Sequence, residues 1–427
     1  MLNIVFLRRV SIQSNGLFRL AILMVAGLAS AGDWPQWRGS QRDGHAVSEA
    51  TLQSLDSQLQ PTWRRSIGPG FSAPIVFGDR LVYLDEKEGK EVAHLVRIAD
   101  GSEVWNRPFA DSFSDEWGVG PRSTPLADQD CLYVQSCRGV FRCLSTQDGS
   151  TIWGTDFEKE FGTVFVGTKV NEGAAVRRGH NGSAVVNGTH IIVPTGSTNG
   201  ATLVCFDKRN GQVIWKALSD ETAYSSPVVA TLDGESQLVA FTADALVGLN
   251  LKTGATLWRV PVKTAAKRHA LSPVILGGDR VFVASHSFGA LCVHVTRSGG
   301  TWTPKTLWHN TMMRINLSTP TAVGDALYGF GTDTDFVCIN AATGANHWAQ
   351  PGFGKGVTTD YASTIALGDK LLVLNEAGQL QLLHADITRY RTLGQVQVCG
   401  KTWCHPAYAN GRLYVRDGRS LQCFVLK

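Results

Sequence analysis

Nine cysteines and eleven histidines are the residues of this 427-residue chain best suited to chemistry, and their spacing decides what kind. Cys143, Cys205 and Cys338 each stand ten residues before a tryptophan, and Cys292 and Cys423 hold the same place in their own segments. Five cysteines at one recurring position read as small buried hydrophobes, held too far apart to bridge. Cys131 and Cys137 flank one strand, while Cys399 and Cys404 share a loop. If one disulfide forms, Cys399–Cys404 is the expected pair, and an odd total leaves at least one thiol free unless chains are cross-linked. Gly394 to Thr402 (GQVQVCGKT) imitates a phosphate-binding loop, but five residues separate its glycines where four are needed, and no helix follows. There is no His-Glu-x-x-His, Gly-x-Ser-x-Gly or Cys-x-x-Cys pair, so no metal site is expected. His286 and His294 read as structural, and the sequons at Asn181 and Asn187 as turn residues.

The elements that must carry these residues are repeats. One phrase recurs: Ser-x-Pro, a short apolar run, Gly-Asp or Asn-Gly, an alternating strand, a Gly turn, another strand, then Thr-Gly-x-x-x-Trp. Copies begin at Ser72, Ser123, Asn181, Ser225, Leu271, Ser318, Ala362 and Cys404. Each fits four short strands: Pro is tolerated at a strand start, Gly-Asp makes a tight turn, and Leu81 and Tyr83 show period-two alternation. The closing tryptophans are Trp105, Trp153, Trp215, Trp258, Trp308 and Trp348, and Val396 stands where the seventh is expected. The eighth copy stops before its outer strand, and the missing piece appears ahead of the first copy at Trp63. The expected fold is therefore all-β: an eight-bladed β-propeller of four-stranded antiparallel blades over 61–427, its ring closed by an N-terminal strand. A tryptophan wedged between blades removes roughly 150–250 Å² from water, about 4–6 kcal/mol gross as an upper bound.

Ahead of the ring, Arg8, Arg9 and Arg19 precede an apolar run from Leu20 to Ala29 and small residues ending at Ala31. Residues 1–31 read as a signal peptide, too short to span a bilayer, and predict export to the periplasm or beyond. Losing three arginines and no acids lowers the net charge from +4 to about +1, which argues against nucleic-acid or anionic-membrane partners. Residues 32–60 read as a strap pinned by Trp34 and Trp37, with a short helix from the spacing of Leu52, Leu55 and Leu59.

The phrases NLKTGATLW and NAATGANHW resemble the tryptophan-docking repeat of the pyrroloquinoline-quinone (PQQ)-like propeller superfamily. The segment Asp33 to Gly44 (DWPQWRGSQRDG) looks like one that opens an exported group within it. The resemblance covers 61–427 and implies the fold; it leaves function open, because the superfamily holds both PQQ-dependent alcohol dehydrogenases and the non-enzymatic BamB lipoprotein. The dehydrogenases use a disulfide between adjacent cysteines and Ca²⁺ ligands beside the quinone. This chain has no Cys-Cys pair and no positions matching those ligands, and Asp360 is the least implausible base.

In a propeller, residues leading into the innermost strands ring the channel mouth. The candidates there are Phe71, Trp117, Arg122, Arg178, His180, Tyr224, His269, Arg314, Asn316, Tyr361, Trp403 and His405. Aromatic rings with interspersed Arg and His suit a planar or anionic ligand or a docked peptide, though such residues also fill a channel neck. The long approach from Gly154 to Gly179, with Arg177 and Arg178, is a further candidate. The expectation is a monomeric, exported, non-catalytic scaffold that binds a protein, peptide or glycan without a cofactor. The alternative is a quinoprotein dehydrogenase with PQQ and Ca²⁺ at the mouth.

Overall fold

The computed structural model describes residues 32–47, 52–165, 179–221, 223–331, 335–353 and 361–426. The expected signal peptide, Arg177, Arg178 and Asp360 lie outside them. Eight four-stranded antiparallel sheets follow one another along the chain as blades. Blade 1 is Ile75–Phe77, Arg80–Lys87, Lys90–Arg97 and Glu103–Asp111, running from the channel outward. Blades 2 to 7 repeat that order over 126–156, 185–217, 228–261, 274–310, 321–350 and 362–397. Blade 8 takes three strands from the C-terminal end and its outer strand, Trp63–Ser66, from the N-terminal side, with Trp63 opposite Cys423. Among the described residues no helix is long and apolar enough to cross a membrane.

The recurring residues form one lock, repeated. In each of five blades the indole nitrogen donates to a backbone carbonyl at the end of the next blade's third strand. The pairs are Trp63 to Ile98 (2.9 Å), Trp105 to Thr146 (3.0 Å), Trp153 to Lys208 (3.0 Å), Trp215 to Leu251 (3.1 Å) and Trp308 to Ala341 (3.1 Å). Trp348 does the same to Asp386 at 2.8 Å, whereas Trp258 turns to Gln237 of its own blade. The Thr-Gly glycine lies under the ring. A Cβ on Gly254, at φ +71°, would sit 2.6 Å from Trp215. The glycine thus serves the turn and the docking together. Cys143, Cys205, Cys292, Cys338 and Cys423 each pair directly opposite a docking tryptophan, as small buried residues.

Three expectations are corrected. In every tryptophan-bearing outer strand of blades 1 to 6 the indole residue sits just after a bulge; in blade 7 that place belongs to Gly394, opposite Leu382, and Val396 lies two residues on, opposite Leu380. Gly394 leaves room for Leu55, whose backbone oxygen would be 2.8 Å from any Cβ there. The expected helix around Leu52, Leu55 and Leu59 is absent from residues 52–60. Leu52 and Leu55 are buried against Val396 and Val398 instead, filling the gap left by the missing tryptophan. Cys399 and Cys404 are both unbridged and buried, because the Cys404 thiol points to the Gly70 carbonyl at 3.7 Å.

Ring closure carries a polar clasp. Arg65 of the closing strand donates to the Tyr83 hydroxyl (3.0 Å) and to Glu103 (2.7 Å) of blade 1. His94, stacked on Tyr83, meets Glu103 with one ring nitrogen (2.8 Å) and Asp85 with the other (2.9 Å).

The segment before the ring does more than strap the wall: it closes one end of the channel. Trp34 exchanges backbone hydrogen bonds with Val76 of blade 1, and the Pro35 carbonyl accepts from Ala127 of blade 2. Arg42 donates to the Ser183 and Ala184 carbonyls leading into blade 3, and Trp37 to Ser272 ahead of blade 5. Arg38 reaches Pro320 and Thr321 at blade 6, His45 bridges to Ala366 of blade 7, and Trp34 and Trp37 pack on His405 ahead of blade 8. Asp33 accepts from Gly78, in the turn joining the first two strands of blade 1, so the plug occupies the face where those turns lie.

Candidate functional site

The channel mouth lies on the opposite face. There each outer strand returns to the next innermost strand, and these returns carry the candidate residues. Between blades 1 and 2 the return folds into a small hairpin, Ser114–Asp115 with Gly118–Val119. Asp115 holds its tip by accepting the Trp117 amide at 2.9 Å. Gly118, at φ +138°, lets the hairpin lie on Phe71, whose ring would be 3.0 Å from a Cβ. Trp117 is thereby presented to solvent, 53 % exposed, the largest ring among the exposed hydrophobic residues.

Around it the structure assembles four of the candidates. Phe71 stacks on Trp403 (5.7 Å between centroids) and Trp117 tilts against the same indole (5.3 Å). The Arg122 guanidinium lies 5.2 Å over Phe71, fixed by an ion pair with Asp115 at 2.7 Å. Sequence reasoning missed Lys401, whose ammonium sits 5.3 Å over Trp403 and 2.9 Å from Glu376. It also missed Glu91, fully buried beneath this cluster on Lys90–Arg97. Burial pushes the Glu91 carboxyl up to about 8, against the opposing pull of Ser136, Arg122 and Arg138. Period-two alternation offers no signal for Glu91, because the cover comes from the return after Asp111 and the turn at 136–138.

The other candidates separate from this cluster. On the rim of blades 4 to 6, Tyr224 donates its amide to the His269 carbonyl (3.1 Å), and Arg268 donates to Asn316 (3.3 Å). His269 is fully buried edge-on to Phe241, and burial, with His286 beside it, pushes its imidazole down to about 4. Arg314 is exposed. His180 packs against Phe157, and its carbonyl accepts from Ser123 and Gln135. Tyr361 is buried on Ser363 at 2.8 Å. His405 faces the plug, pushed down to about 3 by burial and by Arg38. His180, His269, Tyr361 and His405 are all buried, and so pack the returns rather than face a ligand.

Among the described residues no group of three or more His, Cys, Asp or Glu side chains is placed to hold a metal ion. The sequence has no adjacent Cys-Cys pair, and the candidate base Asp360 lies outside the described residues.

What the mouth can do is bind. A solvent-facing indole backed by Phe71 and Trp403, with Lys401 and Arg122 at its edge, offers apolar area and cation–π contact on a rigid base.

Comparison with known proteins agrees with the architecture. The family described as "Outer membrane protein assembly factor BamB" matches residues 88–350. The outer membrane protein assembly factor BamB of Salmonella typhimurium is 23% identical over 323 residues, spanning 62% of this chain and 76% of its own. Among solved structures, BamB from Moraxella catarrhalis superposes with a TM-score of 0.53 at 17% identity, covering 90% of this chain and 98% of that one. The quinohemoprotein alcohol dehydrogenase ADHIIG from Pseudomonas putida HK5 does so with a TM-score of 0.60 at 12% identity, covering 93% and 80%. Resemblance at these identities to both a BamB and a dehydrogenase speaks for the shared ring alone, whereas the family match runs through more than half of the chain. This chain belongs to the PQQ-like β-propeller family described as the outer membrane protein assembly factor BamB.

Proposed function

We propose that this chain is an exported, non-catalytic scaffold that docks a protein or peptide on the open channel mouth, with Trp117 as its anchor. The observation that carries the reading is the exposed Trp117 on a rigid aromatic–cationic base, at the end of the channel opposite the plug. Trp and Arg dominate interface energetics when backed by packed neighbours. The name of the Salmonella relative, an assembly factor, supports a partner-binding role. The leader at 1–31 supports export, and the lack of an adjacent Cys-Cys pair in the sequence supports binding over quinone chemistry.

Affinity capture from a cell-envelope extract tests it, comparing wild type with Trp117→Ala. A discrete partner should be retained by wild type and lost from the variant, since truncating a central aromatic anchor costs about 2 kcal/mol or more, roughly 30-fold in Kd. The same sample titrated with PQQ and Ca²⁺ should show no saturable signal. Micromolar PQQ binding would replace this reading with the quinoprotein one.

A further inference from the structure

The geometry points to a second site, independent of the mouth: a groove between blades 6 and 7 that binds a neutral carbohydrate chain. The groove has a volume of about 400 Å³, and none of the described residues lining it carries a charge. Its wall is a grid of amides. Gln379 pairs with Gln397 and Gln381 with Gln395 across neighbouring strands, so all four project from one face. Along a strand such side chains repeat about every 6.8 Å, and across strands about every 4.8 Å. That spacing is comparable to the separation of hydroxyl groups around one pyranose ring.

The register position of Gln381 is aliphatic in four blades and polar in the other four. The third-strand residue just before the tryptophan-facing position is Val204, Val247, Leu291 and Val337 in blades 3 to 6, and all four are buried. In blades 1, 2, 7 and 8 it is His94, Arg142, Gln381 and Gln422. Burying an amide where an aliphatic group would do carries a desolvation cost, met here by neighbours. The Tyr390 hydroxyl donates to Gln381 Oε1 at 2.6 Å, and Gln381 Nε2 donates to Gln379 Oε1 at 3.0 Å. Gln397 Nε2 donates to the Ala377 and Cys399 carbonyls, both at 2.6 Å.

These bonds orient the wall and leave part of it unspent. No hydrogen-bond partner among the described residues engages Gln379 Nε2, Gln397 Oε1 or the amide of Gln395, a mixed set of donors and acceptors. Hydroxyl groups, each donor and acceptor at once, match such a set. An ionised ligand would find no counter-charge among the described lining residues. Phe353 and Tyr390, edge to face at 6.4 Å, add aromatic surface for the apolar faces of a sugar ring. A peptide is favoured less, because its side chains want apolar pockets and the wall is mostly amide.

The test is calorimetric titration of the full mature chain with neutral cello-, malto- and N-acetylated chito-oligosaccharides. An acidic oligogalacturonide and a neutral Gly/Ser peptide serve as comparison probes. Saturable binding of at least one neutral series is expected. It should weaken about tenfold or more in Gln395→Ala, which is exposed, and in Gln381→Val, which restores the residue type of blades 3 to 6 and should preserve folding. Trp117→Ala should leave it unchanged, which separates failure here from failure of the mouth as a docking site. Absence of neutral-sugar binding by folded protein, binding that survives both glutamine variants, or preference for the acidic probe or the peptide would overturn the proposal.

Discussion

Glu91 shows how one side chain can couple the mouth to its surroundings. Its carboxyl is held up to about 8 by burial, with Cys137, Ser136, Arg122 and Arg138 around it, and its Oε2 has no hydrogen-bond partner among the described residues. The folded state therefore keeps a proton that the unfolded chain releases near 4.5. The stability that Glu91 contributes is fully present below about pH 4.5 and is lost as pH rises through about 8, of the order of 5 kcal/mol in all. Urea denaturation of Glu91→Gln from pH 5 to 9 should show that downward slope flattened relative to wild type; parallel curves would contradict the assignment. His269 and His405 act in the opposite sense, being depressed, and so lose stability as pH falls below 6.5. Trp117, Phe71, Arg122 and Trp403 were legible in the sequence because the repeat fixes where returns meet the channel. Glu91 and Lys401 were not, since their setting is made by returns from other blades.

At the scale of elements, the tryptophan of one blade and the glycine of the next are a single unit. Gly254 and Gly234 both need positive φ, at +71° and +76°, but only Gly254 lies under a ring; nothing comes within 4 Å of a Cβ on Gly234. Gly254→Ala should thus cost about 2–4 kcal/mol, combining backbone strain with overpacking against Trp215, and Gly234→Ala about 1–2 kcal/mol from strain alone. Equal costs by denaturant unfolding would remove the docking role from the glycine. This lock was readable because it repeats at fixed spacing. Blade 7 was misread by two residues: its bulge is the one the other blades share, but its turn into the outer strand lacks the Thr-Gly marker from which the spacing is counted. Leu52, Leu55 and Leu59 have a helical spacing, yet the contacts with blade 7 and Gly394 set their conformation, a tertiary override that periodicity cannot show.

Across the whole molecule, one N-terminal stretch performs two tasks: 33–45 plugs the channel and Trp63–Ser66 closes the ring. Removing residues 1–47 should leave a closed, monomeric ring of lower Tm, whereas removing 1–66 should expose the Ser420–Val425 edge and yield aggregates in light scattering. Monomers of equal stability from both truncations would contradict a closing role for the strand. The plug's function escaped sequence reading because its donors meet backbone carbonyls distant along the chain, as Arg42 does at Ala184, and such contacts leave no periodic trace. The central claim is that partners dock on the open mouth and not on the plugged face. A photo-crosslinking residue placed at Trp117, with one at the exposed Lys252 in the turns of the plugged face, tests it in living cells. The account predicts a discrete adduct from position 117 and none from 252; adducts from both alike, or from 252 alone, would contradict it.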